Sequence, residues 1–104
     1  MITSRNYRYS RRAIRDLAQI YNFIAKSDTI AADRLIEGIR RKVASIAHTG
    51  FTGVPRDDFA PGLRAFIHKN HCIYFQVTDS HLLIVRVLHG RQDLSSEDFP
   101  ESEI

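Results

Sequence analysis

The run LLIVRVLHGRQDL at residues 82–94 limits the fold of this chain more than any other stretch. It reads as a strongly apolar strand with one arginine at its middle and a basic turn at its end. Simple alternation puts Leu82, Ile84, Arg86 and Leu88 on one face and Leu83, Val85 and Val87 on the other. A guanidinium among aliphatic neighbours is costly to bury unless its donors are matched, because desolvating an unpaired charge takes several kcal/mol or more, on the order of the Born penalty after relaxation. His89, Gly90, Arg91 and Asp93 follow on a turn where side chains and backbone can reach outward. The strand is therefore expected to support a cationic, hydrogen-bonding surface.

The remaining elements follow from periodicity. Ile2 to Tyr9 reads as a short strand, and Ser10 as the N-cap of a helix whose stripe is Ala13, Leu17, Ile20 and Ile24, ending near Lys26. Asp28 or Thr29 can cap a second helix with the stripe Ala32, Leu35, Ile36, Ile39, Val43 and Ile46, closed by Gly50. The short link between the helices predicts an antiparallel hairpin. A segment with Gly53, Pro55, Pro61 and Gly62 crosses as an ordered loop to three strands, Leu63 to His68, Cys72 to Thr78 and Leu82 to Leu88. The order is β-α-α-β-β-β: an α+β domain with a helical hairpin packed on one face of a small, mainly antiparallel sheet. Residues 1–95 form the single domain, and residues 96–104 an acidic, aperiodic tail expected to be mobile.

Composition excludes several classes. With 104 residues the chain is one domain large enough for a core without disulfides. It has no apolar run approaching the ~18 residues of a membrane span, and MITSRNYRYS lacks the pattern of a secretory signal. Cys72, the only cysteine, reads as a buried structural thiol, and the expected location is cytoplasmic. Residues 1–92 carry all 15 Lys and Arg against seven of the 12 acids, a charge of +8, whereas residues 93–104 carry −5. A basic body points to an acidic partner, protein or nucleic acid.

Local motifs for chemistry are sparse. His48, His68, His71, His81 and His89 lack the spacing of a zinc site, and no phosphate-cradling glycine loop or nucleophile elbow is present, so no cofactor or metal is expected. RNA cleavage through the 2′-hydroxyl needs a general base, a general acid and cations near the developing charge. Arg64, His68, Arg86, His89 and Arg91 are the candidates for it. Alternatively, Arg64 and Arg86 pair with acids such as Asp57, Asp58 or Asp93, and His89 caps its strand. Arg5, Arg8, Arg11, Arg12 and Arg15 spread in several directions and read as a solvated face, with no interleaved aromatics for stacking bases. Phe23, Phe51 and Phe59 read as core or loop anchors.

Four pieces, in order, carry a resemblance: YRYSRRAIRDLAQIYNFIA at 7–25, AADRLIEGIRRKVASIA at 31–47, PRDDFAPGLRAF at 55–66 and IVRVLHGRQDL at 84–94. Together they resemble the ParE toxins of the RelE/ParE superfamily of type II toxin–antitoxin systems. The Pro-Arg-x-x-x-x-Pro-Gly-Leu-Arg loop followed by Arg-Val-Leu-His-Gly-Arg is its most specific part. The resemblance implies a ParD-like antitoxin that orders as it binds, operator DNA reached only through that antitoxin, and DNA gyrase as the target whose inhibition blocks replication. It places Arg64, Arg86, His89, Gly90, Arg91 and Asp93 at motif positions. The related RelE branch instead cleaves messenger RNA on the ribosome with a group near the chain end. Here SSEDFPESEI supplies no histidine, tyrosine or basic residue for that role. The expected antitoxin contact includes the helical hairpin, with Arg12, Arg15 and Arg41 contributing attraction.

Overall fold

The computed structural model describes residues 6–50, 53–77, 81–90 and 94–99. Strand β1 (Asn6–Tyr9) runs into helix α1 (Arg11–Ala25), whose N-cap Ser10 accepts the Ala13 amide on its hydroxyl at 3.0 Å. Helix α2 (Thr29–Thr49) starts the same way, with Asp28 accepting the Ala31 amide at 2.9 Å. It stops where Gly50 takes a φ of 78°, and the Gly50 amide closes onto the Ile46 carbonyl. The two helices pack on each other as the expected hairpin. After them come β2 (Val54–Pro55), β3 (Leu63–His68), β4 (His71–Val77) and β5 (His81–His89).

The sheet order is β1-β5-β4-β3-β2, with β1 parallel to β5 and every other pair antiparallel. The expected α+β architecture is thus present, with one strand more than expected. Val54 and Pro55 pair with Ala65 and Arg64 rather than forming only a loop. Proline is tolerated there because β2 is an edge strand that needs no outward donor. The first strand is described only from Asn6. Phe66, Ile73, Phe75, Leu82, Ile84 and Val87 meet Ala13, Leu17, Ile39, Val43 and Ile46 of the helices in the main core. The opposite face gathers Leu63, Ala65, Cys72, Tyr74, Leu83, Val85 and Leu88 beneath Ala60 and Phe99.

Strict alternation along β5 does not hold. Phe75 pairs with Ile84 but Tyr74 pairs with Arg86, so Val85 is one residue extra. This bulge shifts the phase: Val87 joins Leu82 and Ile84 under the helices, and Leu88 joins Leu83 and Val85 on the far face. The backbone groups at the bulge are matched from α1. The Ser10 amide donates to Ile84 O at 2.9 Å, and the Ser10 hydroxyl donates to Val85 O at 2.7 Å.

Two further expectations are corrected. Phe23 is not an anchor: it is 74% exposed, because it lies about a quarter turn off the α1 stripe. The first residues of the tail, 96–99, are packed rather than free. Ser96–Asp98 form a 3-10 turn and Phe99 is 3% exposed, packed into the cluster on the far face of the sheet. Phe51 lies outside the described residues.

Ser10 thus serves the helix start and the bulge together. Ser10→Ala should lower unfolding stability by about 1–3 kcal/mol, the sum of a cap and a buried hydrogen bond. Ser10→Thr, which keeps the hydroxyl, should lose less. Urea midpoints of the variants would check both.

Candidate functional site

Arg86 follows the bulge, and its side chain is gripped rather than displayed. Its Nε donates to Asp16 Oδ2 at 2.7 Å and its Nη2 to Asp16 Oδ1 at 2.9 Å, a bidentate pair with side chains only 10% and 7% exposed. Asp16 Oδ2 also accepts the Val87 amide at 3.0 Å. On its other side, Arg86 Nη1 donates to the Asp98 carbonyl at 3.0 Å, tying down the turn that delivers Phe99. The Arg86 partner is therefore neither Asp57 nor Asp58. Asp57 accepts the Gly62 amide, and Asp58 is bonded by both Nε and Nη2 of Arg56. That bond holds the Asp58 carboxyl below the usual range.

Asp16 is the residue that sequence reasoning missed. A signal was available: it is the only acid among the first 27 residues, and it sits beside Leu17 at the edge of an apolar stripe. An isolated carboxylate there calls for a cation from elsewhere in the fold.

The other candidates do not gather around one point. Arg64 faces Phe75 across the β3–β4 pair, on the helix side, and its Nη2 donates to Gly53 O at 3.4 Å. Arg86 opposes Tyr74, whose cluster lies on the far side. His89 closes β5, paired with His71, and the two rings meet edge-on at 5.4 Å between centroids. His71 in turn pairs with His68, four residues from Arg64, about 13 Å along the strand. Arg91 and Asp93, like Arg5, lie outside the described residues. Arg15 and Arg41 are exposed on the two helices and Arg12 is half-buried. Arg41 pairs loosely with Glu37 one turn back, at 3.3 Å.

Two surface features stand beside these cations. The first is a groove of about 770 Å³ along the hairpin, walled by Tyr9, Ile14, Leu17, Ala18, Tyr21 and Ile36, with Arg40, Asp33 and Glu37 at its sides. The Tyr9 hydroxyl is buried there with no hydrogen-bond partner, and burial raises its pKa. The second is an aromatic clasp on the far face. Phe59 stacks on Phe99 at 5.3 Å, Tyr74 meets both rings, and the Arg56 guanidinium lies 4.3 Å over Phe59. Burial pushes the neighbouring Cys72 thiol up, as it does the Tyr74 phenol. Among the described residues no group of His, Cys, Asp or Glu could hold a metal ion, and no helix is long and apolar enough to cross a membrane.

The family profile described as ParE toxin of type II toxin-antitoxin system, parDE, matches residues 7–94. The chain belongs to the ParE toxin family. Among solved structures, one described as the chromosomal ParDE TA system from P. aeruginosa is similar in fold, with a TM-score of 0.70 at 20% identity. The match covers 82% of this chain and 95% of that one. No curated protein matches the sequence. In this ParE toxin Arg86 is held inside the fold by its partner Asp16.

Removing Asp16 leaves a buried guanidinium with its strongest acceptor gone. Asp16→Ala should cost about 3–5 kcal/mol, and the paired replacement Asp16→Leu with Arg86→Met should cost less than either single change. Chemical denaturation of Asp16→Ala, the double variant and its two single changes would show the order.

Proposed function

We propose that this ParE toxin inhibits growth by binding DNA gyrase in the cytoplasm and blocking replication, and that a ParD-like antitoxin neutralises it. The observation that carries a binding role over RNA cleavage is the separation of Arg64, Arg86 and His89. Arg64 lies on β3, Arg86 and His89 stand three residues apart on β5, and Arg86 is on the opposite face of the sheet from the other two. General acid–base cleavage needs its acid, base and cations within hydrogen-bond reach of one phosphate. The guanidinium best placed in the motif is already engaged by Asp16.

The antitoxin reading rests on the hairpin groove. Ile14, 58% exposed at its wall, and the apolar residues around it offer anchors for an amphipathic segment that orders on binding. Arg11, Arg15, Arg40 and Arg41, exposed along the same two helices, supply attraction for acidic residues of such a segment. Operator DNA is contacted through the antitoxin alone in this reading.

Purified toxin in excess should suppress supercoiling by gyrase, and added antitoxin should restore it. Full supercoiling in the presence of toxin that still binds its antitoxin would overturn the gyrase assignment. Toxin-dependent cuts in messenger RNA on translating ribosomes would replace it with the nuclease activity of the RelE branch. Raising ionic strength from about 0.05 M to about 0.5 M should slow association with the antitoxin by roughly tenfold or more, because exposed charges are screened over a few ångströms at the higher value. Stopped-flow association rates provide the check.

A further inference from the structure

Three of the five histidines occupy one rung of the sheet. His68 of β3 pairs with His71 of β4, and His71 pairs with His89 of β5. Each lies two residues along its strand from a core residue under the helices (Phe66, Ile73 and Val87), so the rung faces the helical hairpin. At the β3 end, α2 comes so close that a Cβ added to Gly38 would stand 2.9 Å from His68 Nε2. In the middle, His71 is 9% exposed and lines a cavity of about 370 Å³ between the Lys69–Asn70 turn and the junction of the two helices. His68 Nε2 and His71 Nδ1 are both buried without a hydrogen-bond partner.

We propose that this rung is a proton-sensitive switch: protons taken up at His68 and His71 push α2 away from the end of the sheet and reshape the helical hairpin. The charges facing the rung oppose protonation. The turn contributes Lys69, α2 contributes Arg34 and Lys42, and β5 contributes His89. The α1 side of the cavity presents apolar Ile24. Asp28 is the one carboxylate among the described residues lining it, and it is engaged by the Ala31 amide.

Burial, with Lys69 and Lys42 for His68 and with His89 and His68 for His71, holds both imidazoles below their ordinary pKa. The sign follows from linkage. Above the ordinary histidine value, about 6.5, the groups are neutral whether the region is packed or open. As pH falls below it the open form takes up protons first, so packing stability is lost progressively down to the lower pKa of the packed form. Where the hairpin receives the antitoxin, as proposed above, the same protonation also weakens that complex.

Imidazole proton shifts and amide hydrogen exchange along α2 would be followed by NMR on the full-length free chain from about pH 8 to about pH 5. After correction for intrinsic rates, exchange around Gly38 should rise about tenfold or more, with a midpoint matching the titration of His71. The His68→Gln/His71→Gln variant should keep its α2 protection across the range, whereas His48→Gln should behave as wild type. Exchange in α2 that ignores the His71 titration would overturn the proposal, and this wild-type comparison decides the matter even if the double variant does not fold. Equal pH dependence in a folded double variant would overturn it too. The readout needs no antitoxin: loss of antitoxin affinity at low pH without opening of α2 would sink the switch and leave the antitoxin reading standing.

Discussion

The buried pair of Asp16 and Arg86 holds together three parts of the chain that are far apart in sequence. One carboxylate receives two guanidinium donors and the Val87 amide, and the third guanidinium nitrogen reaches the Asp98 carbonyl. Helix α1, the bulge in β5 and the turn after Leu94 are thereby joined at one point. A charge so placed is tolerated because its partner is bidentate and the backbone supplies the remaining match; either ion alone would be far more costly than an apolar side chain. The bulge and the ion pair also depend on each other. Without Val85 as the extra residue, Arg86 would point toward the helix core with Ile84, rather than to the border where Asp16 and the tail can both reach it.

This arrangement separates two kinds of arginine. Arg86 organises the interior, whereas Arg11, Arg15 and Arg41 stand on exposed helix faces. The sheet supports both roles by being covered unequally. Two helices lie over one face, and among the described residues the 56–62 loop, Leu94 and Phe99 cover the other. The hairpin groove is accordingly framed by long, rigid elements, while the aromatic clasp closes the thinner side.

What could be read from the sequence were the features that neighbouring residues determine. Ser10, Asp28 and Gly50 act within a turn of themselves, so the helix limits follow from local chemistry. The strands from Leu63 onward follow from apolar runs broken at Lys69–Asn70. The bulge was illegible because nothing in LLIVRVLHG marks Val85 as supernumerary; it arises from Ser10 and Asp16, about 70 residues earlier and brought in by the parallel β1–β5 pairing. Phe99 was hidden for a related reason. In an acidic, aperiodic segment its burial depends on a groove formed by Phe59 and Tyr74. Of the candidate site, the motif positions were visible, but their division between a gripped Arg86 and a half-buried Arg64 follows only from which strand and face each occupies.

The pairing of the first strand with the last has a bearing on biosynthesis. Nothing on β1 can find its neighbour until β5 has left the ribosome, since Tyr9 and its partner Ile84 are far apart in the sequence. Long sequence separation between contacting segments delays closure of the sheet until β5 has been made. A nascent chain interrupted before His81 has helices but no seat for the segment that precedes them. For a toxin this amounts to a safeguard in topology, because a prematurely terminated product lacks the strand that completes its sheet.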